Sequence, residues 1–181
     1  MLELTLLDDT IRPDIRYARE DNFVGRPVYA EARAFLQPVP AHALVRVHRS
    51  LKPGGLGLVI YDGYRPWSVT KLFWETVAED QKKFVADPAV GSKHNRGCAV
   101  DLSMCELSTG TQVPMPSDFD EFNEKASPDY SGGTDIECAN RDRLRAAMEA
   151  EGFAVNPKEW WHFDHKDWQS YEIVDLPFDE L

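Results

Sequence analysis

Two groups able to hold a metal ion lie close together in Ser92-Lys93-His94-Asn95-Arg96-Gly97-Cys98-Ala99-Val100-Asp101: an imidazole and, seven residues on, a carboxylate. Two neutral imidazoles and one carboxylate around a divalent ion, with a fourth position open, make a common catalytic zinc site. A third donor is therefore needed, and Glu159-Trp160-Trp161-His162 offers one late in the chain. Glu159 precedes His162 by three residues. On a helical turn the two would share a face; on a strand they would need a bend or a bulge to do so. The sequence leaves both open, and in either case a second carboxylate lies near the ion, where it can take a proton from water.

Taken singly, some of these residues have plainer roles. His94 reads as a surface loop histidine, and His162, between Trp161 and Phe163, as a hydrogen-bonded core histidine. Asp101 resists such a reading, because strands are depleted in aspartate and a buried carboxylate requires partners. His42, His48 and His165 are the competing imidazoles. The first two fall on a helical pattern and the third in a charged run, so solvated roles suit them.

The elements that must position these groups follow from periodicity. Cys98, Val100, Leu102 and Met104 alternate with Ala99, Asp101 and Ser103, the pattern of a half-buried strand with Asp101 on the face opposite Val100 and Leu102. Leu56 to Tyr61 is an apolar run of strand length, followed by the turn Asp62-Gly63-Tyr64-Arg65-Pro66. Helices are expected over about 40–51, 68–85 and 140–151, the last with Gly152 at the left-handed position after its end. Residues 117–138 read as a long surface loop, and 153–163 as extended chain broken at Asn156-Pro157. The acidic, aromatic tail from Trp168 is expected to lie against the body. Strands come in ones and twos without a steady βαβ rhythm. The expected class is α+β, with a mainly antiparallel central sheet flanked by helices.

The 181 residues suffice for a single domain with a sizeable core, spanning 1–181. A formal charge of −11, with the basic residues scattered, argues against a nucleic-acid partner. The longest apolar run is far too short to span a bilayer, so no membrane partner is expected. No signal pattern opens the chain, and three cysteines without framework spacing suit reduced thiols; a cytoplasmic location is expected.

Ser92-x-His94-x-x-Gly97-x-Ala99-x-Asp101 together with Glu159-x-Trp161-His162 resembles the signature of the D-alanyl-D-alanine dipeptidases of the vancomycin-resistance type, zinc D,D-peptidases related to the hedgehog fold. The likeness extends over about residues 14–165. It takes in Tyr17-Ala18 with Asp21-Asn22-Phe23, the Asp62 to Pro66 turn, Val113-Pro114-Met115 with Phe119-Asp120, and Asn140-Arg141 to Phe153. It implies one zinc ion (Zn2+) on His94, Asp101 and His162, Glu159 as general base and then acid, and Arg65 as oxyanion stabiliser. It also implies that Asp120 and Tyr17 hold the ammonium of a small dipeptide, and that Ser92 hydrogen-bonds it. The implied reaction is hydrolysis of D-Ala-D-Ala by metal-activated water. The rivals are a broader D,D- or L,D-peptidase of cell-wall peptides and a non-catalytic zinc module of the same fold. Composition says nothing of the oligomeric state.

Overall fold

The apolar run and the alternating run pair with each other at the heart of the molecule. The computed structural model describes residues 1–181. In chain order its regular elements are β1 (Leu2–Glu3), α1 (Leu4–Leu7), β2 (Arg12–Pro13), β3 (Phe35–Leu36), α2 (Pro38–Leu51), β4 (Leu56–Asp62), α3 (Trp67–Thr76), β5 (Ala99–Glu106), α4 (Asp135–Ala150), β6 (Phe153–Asn156) and β7 (Glu159–His165), with short 3-10 turns between them. Five strands form one sheet in the order β2-β4-β5-β7-β6, in which all neighbours are antiparallel except the short pair β2 and β4. Strands β1 and β3 make a small ribbon apart from it. The mainly antiparallel α+β class expected from the sequence is the class observed.

Helices α2 and α4 pack on one face of the sheet. Val100, Leu102 and Met104 of β5 point into this side and join Leu44, Val47, Leu144 and Met148 in the main core. The opposite face carries Asp101, and there the sheet floors a cleft. Strand β5 was expected to be half-buried, but Ala99 to Cys105 are all buried. The reason is its position: β4 and β7 flank it on both edges, and loops cover its polar face, where Val59, Tyr61 and Cys105 make a second small cluster with Phe119.

Two helix boundaries differ from expectation. Helix α3 stops at Thr76, because the stretch beyond it, Ala78 to Gln81, is exposed and gives a longer helix no apolar face to bury. Helix α4 starts at Asp135, five residues before the expected start. Thr134 and Glu137 form a reciprocal capping box there, a signal present in the sequence as Thr134-x-x-Glu137. Two histidines also depart from the solvated roles expected of them. His48 accepts a hydrogen bond from the Leu58 amide at Nδ1 (3.1 Å) and contacts Thr10 Oγ1 at Nε2 (2.8 Å), fully buried. His165 is buried against Phe153, with Asp167 N–H on its Nδ1. His42 is exposed, as expected.

The tail does lie against the body. Val174 N–H donates to Asn95 O, Trp67 N–H to Val174 O, and Leu176 N–H to the Tyr64 hydroxyl. Phe178 packs on Tyr29, Phe35 and Tyr64. No helix is long and apolar enough to cross a membrane.

Candidate active site

Strand register brings the three donors together. Asp101 on β5 is the partner of His162 on β7, so a carboxylate and an imidazole stand side by side on the cleft face. His94 arrives from a 3-10 turn over His94–Arg96, which Gly97 ends with φ +66. A side chain at Gly97 would meet Met1 Sδ at 2.9 Å and the Gln37 amide at 3.2 Å, so this tight entry into β5 needs glycine. One ligand atom each from His94, Asp101 and His162 lies within 4.8 Å of the others.

The hydrogen bonds around the imidazoles assign their tautomers. His94 Nδ1 faces the Gly63 carbonyl at 2.7 Å, so Nδ1–H donates and Nε2 keeps its lone pair. His162 Nε2 faces Asp164 Oδ1 at 3.0 Å, so Nε2–H donates and Nδ1 keeps its lone pair. These two lone pairs point at one spot, with His94 Nε2 3.2 Å from His162 Nδ1 and 3.4 Å from Asp101 Oδ2. Asp101 Oδ1 is buried without a hydrogen-bond partner, although His162 Nδ1 is only 3.0 Å away. Lone pairs aimed at one another repel, and a cation between them turns repulsion into ligation. The donor set and its orphaned oxygen fit a zinc ion.

Glu159 reaches the same spot by an irregularity in the β6–β7 hairpin. Val155 pairs with Phe163, but Asn156 pairs with Glu159, so Trp160, Trp161 and His162 bulge out of the ladder. This resolves the alternative left open by the sequence: the pair lies on a bulged strand, and Glu159 Oε2 is 3.7 Å from His162 Nδ1. Asn156 Nδ2 donates to the same oxygen at 3.0 Å. Burial is the main reason the Glu159 carboxyl is pushed up to about 7, and the charge of Asp101 adds to it.

On the other flank Arg65 is held by Asp62, whose Oδ2 accepts from Nε at 2.9 Å and lies 2.8 Å from Nη2. The other Asp62 oxygen accepts from Tyr29 OH and the Gly63 amide, both at 2.9 Å. Arg65 Nη2 lies 3.6 Å from Asp101 Oδ2, and its guanidinium sits over the rings of Phe73 and Tyr17. The sequence reading gave Asp62 no role. The signal was available, since a carboxylate ending a fully buried strand needs partners as much as Asp101 does.

Tyr17 OH donates to Asp120 Oδ2 at 2.8 Å. Asp120 is the one non-glycine residue with positive φ, +58, a conformation that L-residues adopt at a cost. Burial, reinforced by the charge of Asp101, holds its carboxyl well above the usual carboxylate range. Ser92 Oγ accepts a long bond, 3.2 Å, from the His94 amide. Tyr17, Arg65, Ser92, His94, Asp101, Asp120, Glu159 and His162 all line one cleft of about 500 Å³, within the usual size of small-molecule sites. Phe73 and Trp161 line it too, whereas Trp160 turns into the core and donates from Nε1 to Ser117 Oγ. Cys98, between the ligand candidates in sequence, is buried and its thiol is pushed up to about 12 by desolvation, which suits packing rather than ligation.

The fold is similar to that of a solved structure described as the LdcB LD-carboxypeptidase, with a TM-score of 0.50 and 21% identity over 88% of this chain and 70% of that one. A sheet-floored cleft of an α+β fold thus holds convergent donors beside a buried acid and a guanidinium. A family model described as D-ala-D-ala dipeptidase matches residues 2–178, and the chain belongs to that family. Among its relatives, a D-alanyl-D-alanine dipeptidase of Escherichia coli is 32% identical, over 96% of this chain and 89% of its own length. One from Enterococcus faecium is 34% identical over 90% and 91%, and one from Streptomyces coelicolor is 34% identical over 87% of each.

Proposed function

We propose that the chain hydrolyses D-Ala-D-Ala, with His94, Asp101 and His162 holding one zinc ion. The observation that carries this reading is that Glu159 and Arg65 both approach the same donor group, Glu159 at 3.7 Å from His162 Nδ1 and Arg65 at 3.6 Å from Asp101 Oδ2. A pure binding module has no use for a base and an oxyanion partner so placed. Zinc supplies a Lewis acid that polarises the scissile carbonyl and lowers the pKa of water to about 7.

The chain's own residues do the rest. Glu159 takes the proton of the attacking water as the new C–O bond forms at the carbonyl carbon. Arg65 faces the oxygen that gains negative charge, and its two-point contact with one Asp62 oxygen keeps it aimed before the reaction starts. Glu159 then returns the proton to the amide nitrogen as the C–N bond breaks, and two molecules of D-alanine leave. Asp120, whose carboxyl is raised chiefly by burial, meets the ammonium of the dipeptide, with Tyr17 orienting it and Ser92 hydrogen-bonding the substrate. Phe73 and Trp161 offer the apolar wall for methyl side chains.

One continuous cluster of 27 buried residues, joining both packed helices to the sheet, supports treating residues 1–181 as a single catalytic domain. Three free cysteines suit a cytoplasmic place of work. The deciding experiment is metal analysis of the purified protein coupled to an amine-release assay on D-Ala-D-Ala and L-Ala-L-Ala. One zinc per chain with turnover confined to the D,D-dipeptide supports the assignment. Comparable turnover of longer or L-configured peptides would transfer it to a broader peptidase, and zinc without turnover to a binding module.

A further inference from the structure

Beyond the ligands themselves, one ion pair joins the two separate pieces of chain that deliver the imidazoles. Asp164 follows His162 by two positions on β7, so both side chains emerge on the cleft face. Its Oδ1 accepts from His162 Nε2 at 3.0 Å, while its Oδ2 is bonded by Lys93 Nζ at 2.7 Å. Lys93 is the residue immediately before His94. The carboxylate thus grips the ring of one ligand with one oxygen and the backbone segment of the other with its second. Trp168 covers the pair, with the Lys93 ammonium 5.3 Å from its ring centroid, and the Asp164 side chain is only 16% exposed.

We propose that Asp164, tethered by Lys93, is a positioning residue that fixes His162 as its Nε2–H tautomer and so sets the affinity of the site for zinc. This rests on the assignment of His162 as a ligand. Three features make the arrangement more than a surface ion pair. Asp164 spends its two oxygens on two different elements, β7 and the His94 turn, so it also fixes their separation. The His162 ring has only two nitrogens, and a carboxylate on one leaves the lone pair on the other, which is the one facing His94 and Asp101 at 3.2 Å and 3.0 Å. A carboxylate on the remote N–H of a ligand imidazole also makes the ring a stronger donor. Lys93 in turn keeps this carboxylate from being one anion too many, beside Asp101 and Glu159, in a chain of net charge −11.

The test measures zinc binding by the full-length metal-stripped protein, in competition with a chromophoric chelator, with no turnover involved. Asp164→Ala should lower zinc affinity by roughly 10–100-fold, the range for loss of such an outer partner, and Asp164→Asn, which keeps an acceptor but not the charge, should fall between. Lys93→Met should lower affinity in the wild-type background and leave it unchanged when Asp164 is already alanine, because the tether acts only through that carboxylate. Long-range proton–nitrogen NMR of the zinc-loaded protein should find the His162 proton on Nε2 in the wild type, and a fraction carrying it on Nδ1 in Asp164→Ala. If Asp164→Ala fails to fold, Asp164→Asn carries the test. Wild-type affinity in Asp164→Asn and, where it folds, in Asp164→Ala overturns the proposal but leaves the zinc site standing. Absence of zinc binding by the wild type overturns both.

Discussion

Asp62 and Arg65, three residues apart across the turn after β4, form a two-point ion pair in which one carboxylate oxygen meets both Nε and Nη2 of the guanidinium, at 2.9 and 2.8 Å. Strand β4 also carries a register shift between Ile60 and Asp62, which brings Asp62 opposite Asp101. Two buried carboxylates side by side need a cation, and Arg65 serves both. Its fixed fork suits this role better than a flexible ammonium would.

Arg65→Lys is therefore expected to lower kcat by about 10²-fold, the scale for losing one preorganised oxyanion donor, while KM changes little and zinc stays at one per chain. Steady-state kinetics on D-Ala-D-Ala with metal analysis checks this. A rise in KM at constant kcat would instead make Arg65 a ground-state binding residue.

Glu159→Gln keeps the shape of the side chain and the hydrogen bond from Asn156, but removes the proton acceptor. Turnover should fall by about 10²–10⁴-fold, with zinc content unchanged. Full activity in this variant would remove Glu159 from the chemistry.

How far these residues could be found without coordinates depends on what kind of order places them. His94, Asp101 and His162 were legible because local pattern reveals the loop and the strand, and because their chemistry is a recognisable donor set. The spacing of β5 alone was enough to put Asp101 on the polar face. The route of Glu159 to these donors was not legible, since it needs Trp160 to His162 to bulge from the ladder, and a pairing irregularity leaves no local signature. The same holds for Asp62 beside Asp101 and for Lys93 reaching Asp164, both set by register between strands or loops far apart in sequence. The buried His48 was missed because a helical pattern shows which face is apolar, but not that a polar ring on it will find the Leu58 amide.

His94→Ala removes one of three donors and should abolish stoichiometric zinc binding, as measured by equilibrium dialysis followed by metal analysis. Chelation of the wild type should do the same to activity, and added zinc should restore it. The wild type should also melt at a lower temperature after chelation, since a ligand that binds only the folded chain stabilises it by mass action. Retention of zinc at one per chain in His94→Ala would show that the donor set is wrong.

Asp120 tests the substrate's orientation. Its buried carboxyl, raised well above the usual carboxylate range, is stabilised as the anion when the dipeptide ammonium binds beside it. Asp120→Asn should therefore raise KM for D-Ala-D-Ala by about 10–100-fold, the value of a charge-assisted hydrogen bond. The N-acetylated dipeptide, which has no ammonium, should be a poor substrate for the wild type and should lose little more in the variant. Equal loss on both substrates would mean that Asp120 supports the fold of its strained turn and does not bind the amine.

The last expectation concerns stability and lies away from the cleft. His48 is buried, its Nδ1 accepts from the Leu58 amide, and its Nε2 faces Thr10 Oγ1. A proton on Nδ1 would break the bond to Leu58, and desolvation already opposes the charge, so the ring is lowered from 6.5 to about 4 despite Asp8 nearby. The charged groups facing it are Asp8, whose Oδ1 is 3.8 Å from Nε2, with Lys52 and Arg49 around that carboxylate. For a basic group with a depressed folded pKa, the unfolded chain takes up a proton that the folded chain refuses. Its contribution to stability is therefore full above pH 6.5, shrinks as the pH falls, and is gone near pH 4, a change of up to roughly 3 kcal/mol. Asp8, held below the usual carboxylate range, acts with the same sign but mostly at lower pH, below its unfolded value. Urea unfolding of the metal-stripped protein between pH 4 and 7.5 should show the wild type losing stability towards acid more steeply than His48→Gln. Parallel curves for the two proteins would mean that His48 titrates normally and that the buried ring is not the source of acid sensitivity.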